Sequence, residues 1–460
     1  MADPTTEPVQ LDALSPTGPY RARNRLTVTD VAGTPVAELS QVPRLYVNRA
    51  IGALRAAPAL TADERAAALA EAGRAFATAT VAGTTVEEYE RLVSRVSGMP
   101  LPGVRAATLR TAQAAAEAHR STRCARPEAA VENWRDPLTR RGRALWTRRG
   151  DVFAVLAPAN HPGVHSLWLE ALALGYRVAV RPSRREPFTP HRLVAALRET
   201  AFGADAVALL PTDHTGADDI VAGADLTMVY GGDDVVAKYA ADPTVLPQGP
   251  GRSKILLSGG DWRSHLDTVV DSVALHGGTG CINTTAVFVD GDPAPVAEAL
   301  AERLASIPSR RPESADAALP VQPAETAANI EKYLFDRAAG ARAVLGGDGV
   351  ADDLGDGSAV LRPAVFQVDR PDAPQLAVEL GFPCVWVAPW SPSDGVAPLR
   401  NTLVLTAIGA PEELVDRLVE EPTISNVYLG DHPTHWLEPG IPHDRYLAEF
   451  LMRTKAVIRG

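Results

Sequence analysis

From residue 151 onward, short apolar runs alternate with longer amphipathic stretches. Val152-Phe-Ala-Val-Leu156, Arg177-Val-Ala-Val-Arg181, Ala206-Val-Ala-Leu-Leu210 and Leu226-Thr-Met-Val-Tyr230 read as strands. Helical periodicity falls between and after them, over about 165–174, 190–200 and 233–241. Near-continuous apolar strands separated by helices predict a parallel sheet covered on both faces. A second series starts at Ser253-Lys-Ile-Leu-Leu257 and resumes at Ala286-Val-Phe-Val289. Its later strands are read at 343–345, 360–361, 385–387, 402–406 and 424–428, with helices near 294–305, 324–340 and 411–420. Pro247, Gly249, Pro250 and Gly251 cluster between the two series, so a domain boundary is expected near 245–252.

Upstream the pattern changes. Residues 45–120 are dense in alanine, and Thr61-Ala-Asp-Glu64 and Thr85-Val-Glu-Glu88 both fit a capping box. Leu69, Ala72 and Phe76, then Leu92, Val93 and Val96, follow at helical spacing, which predicts a helical layer outside a sheet. Residues 1–25 are rich in Pro and Thr and read as a mobile or extended arm. Arg143-Ala-Leu-Trp-Thr-Arg alternates like an edge strand. Its charges either guard that edge or serve pairing with another subunit.

Length and composition narrow the class. A chain of 460 residues is too long for one core, so two or more domains are expected. Its 46% apolar and 22% charged content is that of a globular protein. A net charge of −11 argues against nucleic acid or a membrane surface as partner, since both call for basic patches. Cys124, Cys281 and Cys384 cannot form a disulfide framework, and their spacing suits no metal. With no membrane-length apolar run and no signal-like start, a reducing cytoplasm is the expected location.

Four stretches carry candidate chemistry. In His276-Gly-Gly-Thr-Gly-Cys281, Gly277, Gly278 and Gly280 are expected to free the backbone and clear space before the Cys281 thiol. The plain alternative is a tight turn with an incidental thiol. Asn160, in Ala157-Pro-Ala-Asn160, stands at a strand's carboxyl end, where its amide suits an oxyanion donor or merely a turn. Arg181, Ser183 and Arg184 close the next strand and suit a phosphate or ribose. An arginine rather than an acid at 184 favours a 2′-phosphate, hence NADP. Gly231 and Gly232 lead a strand into a helix, where free N–H groups attract pyrophosphate. Glu379 stands in a turn, as a ribose ligand or a solvated carboxylate. His161, His165, His276, His432, His435 and His443 form no metal pattern, and His276 is the expected neighbour of the thiol. Trp168, Phe188, Trp386, Trp390 and Trp436 are candidates to line a substrate tunnel or to fill the core.

The order of these pieces over roughly residues 45–460 resembles the aldehyde dehydrogenase superfamily. Within it, Ala224-Asp-Leu-Thr-Met-Val-Tyr-Gly-Gly-Asp-Asp and Gly249-Pro-Gly-Arg-Ser253 look most like the LuxC-type fatty acyl-CoA reductases. The resemblance implies an α/β fold. A Rossmann-like cofactor domain (26–127 and 151–250) would adjoin a catalytic domain (251–440). A small oligomerisation hairpin (128–150) would pair with a C-terminal helix and strand (441–460). A homodimer or homotetramer is implied. Cys281 matches the nucleophile and Asn160 the oxyanion donor. Arg181 and Ser183 fall near the adenine ribose, and Arg184 where NAD-preferring members carry Glu. Gly231 and Gly232 match the pyrophosphate turn, and Glu379 the ribose-binding Glu. Hydrolytic members carry a water-activating Glu just before a Gly-Gly upstream of the nucleophile. Here Leu257-Ser258 precedes Gly259-Gly260.

Without that base, the resemblance implies a thioester on Cys281 exchanged with coenzyme A or a pantetheine arm. The expected activity is NADPH-dependent reduction of an acyl thioester, free or on a carrier protein, to an aldehyde, with NADH possible. One alternative is an aldehyde oxidiser that makes a free acid, with His276 or Glu170 as base. The other is a non-catalytic relative acting as a scaffold.

Overall fold

The computed structural model describes residues 7–460. Two seven-stranded sheets organise the chain. In the first, Val245–Gln248, Leu226–Tyr230, Val152–Leu156, Arg177–Arg181 and Val207–Leu209 lie side by side and run parallel. Alternate residues point to opposite faces. Phe153 and Val155 therefore enter the core beneath helices Ala62–Thr78 and Phe188–Arg198, while Val152 and Ala154 enter the one beneath Arg44–Arg55. Strand order reverses at Val152–Leu156, which has Arg177–Arg181 on one side and Leu226–Tyr230 on the other. In open α/β sheets the ligand crevice lies at the carboxyl end of such a switch point.

The second sheet runs Arg342–Leu345, Ala364–Gln367, Cys384–Trp390, Thr284–Asp290, Ser253–Leu257, Thr402–Ile408, Ile424–Leu429. It is parallel apart from its first strand. Ala286 and Phe288 face one apolar layer, and Val287 and Val289 the other.

Both capping boxes form: Thr61 with Glu64 opens Ala62–Thr78, and Thr85 with Glu88 opens Val86–Ser97. Helix Leu101–Cys124 lies against Ala62–Thr78 where Gly73 permits close approach; a β-carbon there would sit 2.8 Å from Ala112 O. Segment 128–150 contributes Ala130–Val131 and Arg143–Arg148, and the latter pairs antiparallel with the C-terminal strand Met452–Val457.

Several readings change. Residues 1–6 of the expected arm lie outside the described residues. The rest of it is not an arm: Val9–Leu11 pairs with Pro35–Ser40, and Ala13–Ser15 with Gly18–Tyr20 extends the first sheet. Three-residue strands are too short to show a period, so the Pro and Thr content dominated the reading. The boundary is also narrower than expected. Val245–Gln248 is an edge strand, where Pro247 is tolerated because its missing N–H owes no bond inward. Only 249–252 connects the sheets. The helix read over 165–174 is a 3-10 turn, Pro162–Ser166, followed by the short helix Leu169–Ala173.

Candidate active site

A cleft lies between the two sheets. The first sheet presents strand carboxyl ends to it, through Pro158, Ala159, Asn160, Tyr230, Gly231 and Gly232. The second presents the amino ends of Thr402–Ile408 and Ile424–Leu429, together with the Cys281 turn.

That turn is built from left-handed backbone. His276, Gly277 and Gly278 have φ of 54°, 75° and 65° in succession. The glycines serve packing rather than the space before the thiol that the sequence suggested. A β-carbon on Gly278 would sit 2.6 Å from Pro383 N, and one on Gly277 would press on Pro320. The glycine that abuts the nucleophile is Gly251, where a β-carbon would lie 1.8 Å from Cys281 O. Ser253 Oγ donates to the same carbonyl at 2.9 Å.

Cys281 is partly exposed, and its Sγ lies 3.7 Å from His443 Nε2. Burial pushes the thiol up to about 12, with Glu379 and Asp444 adding to the rise, while the Cys281 and Ile282 N–H groups oppose it. Burial holds His443 below its ordinary value against the pull of Asp444, so the imidazole is neutral near pH 7. The thiol's neighbour is therefore His443 and not His276, whose ring packs on His161 at 5.4 Å between centroids. Asn160 borders the same space and donates one amide hydrogen to Thr279 O at 3.1 Å, which leaves a second hydrogen for a ligand.

Glu379 lines the cleft, and burial raises its carboxyl above the ordinary range. One of its oxygens accepts the Arg252 N–H at 2.5 Å. Arg252, itself left-handed at φ 46°, reaches across to Asp233 at 2.5 Å. The connector is thus tied to helix Asp233–Tyr239 of the first domain and to the Glu379 turn of the second.

Arg181, Ser183 and Arg184 do not line the cleft. Arg181 Nε donates to Thr212 O at 3.2 Å, Ser183 Oγ accepts the Arg185 N–H, and Arg184 is exposed. In this segment the arginine that lines it is Arg185, which donates to Gln322 Oε1 at 2.7 Å. A nicotinamide dinucleotide fits this surface. Among the described residues, the Tyr230 hydroxyl, which lines the cleft, is buried without a partner. Gly231 also leaves room where a β-carbon would strike Val235 at 2.4 Å.

The Leu257-Ser258-Gly259-Gly260 segment is not at the site. It opens on a separate small cavity with Asp261, Trp262 and Gly409, at the carboxyl end of its strand. The glycine turn against Cys281 is Gly249-Pro250-Gly251, and the residue ahead of it is Gln248. Its amide donates to Asp444 Oδ2 at 3.2 Å. An amide cannot take a proton from water, so Gln248 is not a general base. Glu170, the other base considered, lines a neighbouring cavity, where burial raises its carboxyl to about 7. Trp168, Phe188, Trp386 and Trp390 fill the cores and Trp436 is partly exposed, so none of these aromatics lines the space at the thiol.

His443, Gln248 and Arg185 were missed. Gln248 and Arg185 each adjoin a segment that the sequence does single out. His443 has no such signal, since its approach to a thiol far earlier in the chain is a product of tertiary folding alone.

Solved structures of aldehyde dehydrogenases share this architecture along nearly the whole chain. Aldehyde dehydrogenase 21 from Physcomitrella patens, in complex with the reaction product succinate, is 20% identical with a TM-score of 0.80, covering 98% of each chain. Indole-3-acetaldehyde dehydrogenase AldA from P. syringae, in complex with NAD+ and IAA, is 16% identical with a TM-score of 0.83, covering 98% of this chain and 97% of that one. NAD-dependent aldehyde dehydrogenase from Sinorhizobium meliloti is 17% identical with a TM-score of 0.83, covering 99% and 96%. No curated protein matches the sequence. The family model described as "Aldehyde dehydrogenase family" matches residues 16–405, and on that match, with the fold and the cysteine cleft in accord, the chain belongs to the aldehyde dehydrogenase family.

Proposed function

We propose that the protein reduces an acyl thioester to an aldehyde through an acyl group held on Cys281, with NADPH as reductant and coenzyme A or a pantetheine arm as the departing thiol. The observation that carries this reading is Gln248. It stands ahead of the glycine turn packed on the nucleophile, where a hydrolytic enzyme needs a carboxylate. With no carboxylate at that position to activate water, an acyl-enzyme survives until a thiol or a hydride meets it.

Cys281 Sγ attacks the thioester carbonyl carbon while its proton passes to His443 Nε2, 3.7 Å away. His443 accepts that proton with its own hydrogen on Nδ1. The Asn160 amide stabilises the oxyanion, together with the Cys281 N–H. As the carbonyl reforms, the bond to the carrier sulfur breaks and the leaving thiolate takes the proton from His443. When bound, the nicotinamide cofactor supplies a hydride to the acyl carbon. Collapse of the resulting oxyanion frees the aldehyde and returns Cys281 as thiolate, which is then protonated. The NADPH preference rests on the sequence, where an arginine at 184 stands in place of an acid that would favour NAD.

A second reading has support as well. Glu379 and Asp444 line the same cleft as Cys281, so either is placed to activate water for oxidation of an aldehyde to an acid. NADPH consumption against a panel of acyl thioesters tests the first reading, with mass spectrometry for an acyl adduct on Cys281. Acid formation from aldehyde and NADP+ at full rate without any thiol would favour the second. Reduction that persists in Cys281→Ala would reject the covalent route in both.

A further inference from the structure

Cys281 also borders a second, smaller cavity. Its walls come from four parts of the chain. Helix Leu101–Cys124 gives Ala107 and Arg110, and the loop after Val152–Leu156 gives His161. The left-handed turn gives His276, and the C-terminal loop gives His435 and His443. Small residues on the helix make room for the rings: a β-carbon on Gly103 would lie 3.1 Å from His276 Nδ1.

Arg110, exposed at the rim of this cavity, makes no ion pair and no side-chain hydrogen bond among the described residues, and no Asp or Glu lines the cavity. The three imidazoles at 161, 276 and 435 are neutral. Burial lowers His161 to about 3, with His276 and Arg110 contributing. It lowers His276 and His435 each to about 4, with Arg110 the next cause. His161 Nδ1 accepts the Gly163 N–H at 3.0 Å, so its proton sits on Nε2, which is then a donor. His435 Nε2 is buried without a partner. The cavity therefore has one solvent-facing positive charge at its rim, neutral N–H donors deeper in, and no acidic residue in its mainly apolar walls.

We propose that Arg110, with His161 and His435, recognises a carboxylate carried by the acyl group, so that the substrate is the half-thioester of a short dicarboxylic acid rather than a plain fatty acyl chain. This rests on the thioester reading for the thiol half of the substrate. A guanidinium pairs with a carboxylate through two parallel hydrogen bonds, and imidazole N–H groups supply further donors without adding charge. Arg110 also borders the adjoining cavity that contains Glu170 and Glu438, and it pairs with neither.

The test compares succinyl- and glutaryl-CoA with butyryl- and pentanoyl-CoA, in the native chain, Arg110→Met and Arg110→Lys, with melting temperature as the folding control. The native chain should favour the dicarboxylic thioesters in kcat/KM by about 10- to 100-fold, the range of a charged hydrogen bond. Arg110→Met should abolish that ratio, and Arg110→Lys should restore part of it. A native preference for the neutral chains, or a ratio unmoved in Arg110→Met, overturns the proposal and leaves thioester reduction standing. So does a preference for β-alanyl-CoA, which would point to Glu170 and Glu438 instead. Protection of Cys281 from iodoacetamide by glutarate needs no turnover. It should occur in the native chain and vanish in Arg110→Met. If no thioester is reduced but glutarate protects, the anion site survives and the reductase reading falls. If glutarate gives no protection, the anion site falls.

Discussion

Replacing His443 by Asn should expose how far the thiol depends on one imidazole. Cys281 is pushed up to about 12 from an ordinary 9.0, chiefly by burial. At pH 7 that leaves about one thiolate in 10⁵ without help, against about one in 10² for an ordinary cysteine. His443 Nε2 at 3.7 Å is the nearest base, and a positioned general base contributes roughly 10²- to 10⁴-fold. Asn has similar size near the backbone but no basic nitrogen. Acylation of Cys281 at pH 7, measured by rapid-quench mass spectrometry with a saturating acyl thioester, should therefore fall by about 10²- to 10³-fold. The pH profile should change shape as well. His443 is held below its ordinary value, so the native profile should be nearly flat between pH 7 and 9. In His443→Asn the rate should rise about tenfold per pH unit, tracking the free thiolate towards about 12. A variant that acylates at the native rate, or keeps the flat profile, would refute the pairing.

Gln248→Glu should add what the cleft lacks, giving acid from aldehyde and NADP+ without added thiol where the native chain gives little; product analysis by chromatography decides it. Gly251→Ala should lower the melting temperature or displace the nucleophile, because its new carbon would lie 1.8 Å from Cys281 O; iodoacetamide reactivity of Cys281 separates the two effects. Thr61→Ala should cost about 1 kcal/mol, measurable by urea unfolding, since it removes one half of a capping box. Glu170 has a folded value near 7 against 4.5 for the free side chain, so the folded form binds the proton more tightly. Its contribution to stability is therefore lost as pH rises from about 4.5 through 7, and Glu170→Gln should flatten melting temperature over that window.

The fold was legible where the chain repeats itself. Apolar strands buried on both faces, such as Val152–Leu156 and Ser253–Leu257, announce themselves as continuous runs, and the two capping boxes mark helix starts with specific chemistry. Short edge elements were not legible. Val245–Gln248 carries a proline that reads as a break, and only its edge position makes that residue acceptable. At the site, Cys281, Asn160, Gly231, Gly232 and Glu379 come to one cleft, because each sits at the end of a recognisable strand or turn. The misplacement of the missing base has a simple cause. Two glycine pairs lie close together in sequence, and they end up in different cavities at opposite ends of the strand Ser253–Leu257. Arg185 was passed over for Arg184 because a loop between strand and helix has no period to say which side chain turns inward.

The loop that carries His435 and His443 is fastened late in the chain, with the Thr434 hydroxyl against that of Thr284 at 3.0 Å and the Thr406 hydroxyl bonded to His432 O. Both wall residues, including the imidazole 3.7 Å from the sulfur, thus follow every strand of the two large sheets in the chain. A chain ending before residue 435 would lack the His443 imidazole beside the cysteine and one wall of the second cavity. Imidazole-assisted chemistry at that sulfur would therefore wait until the tail is in place.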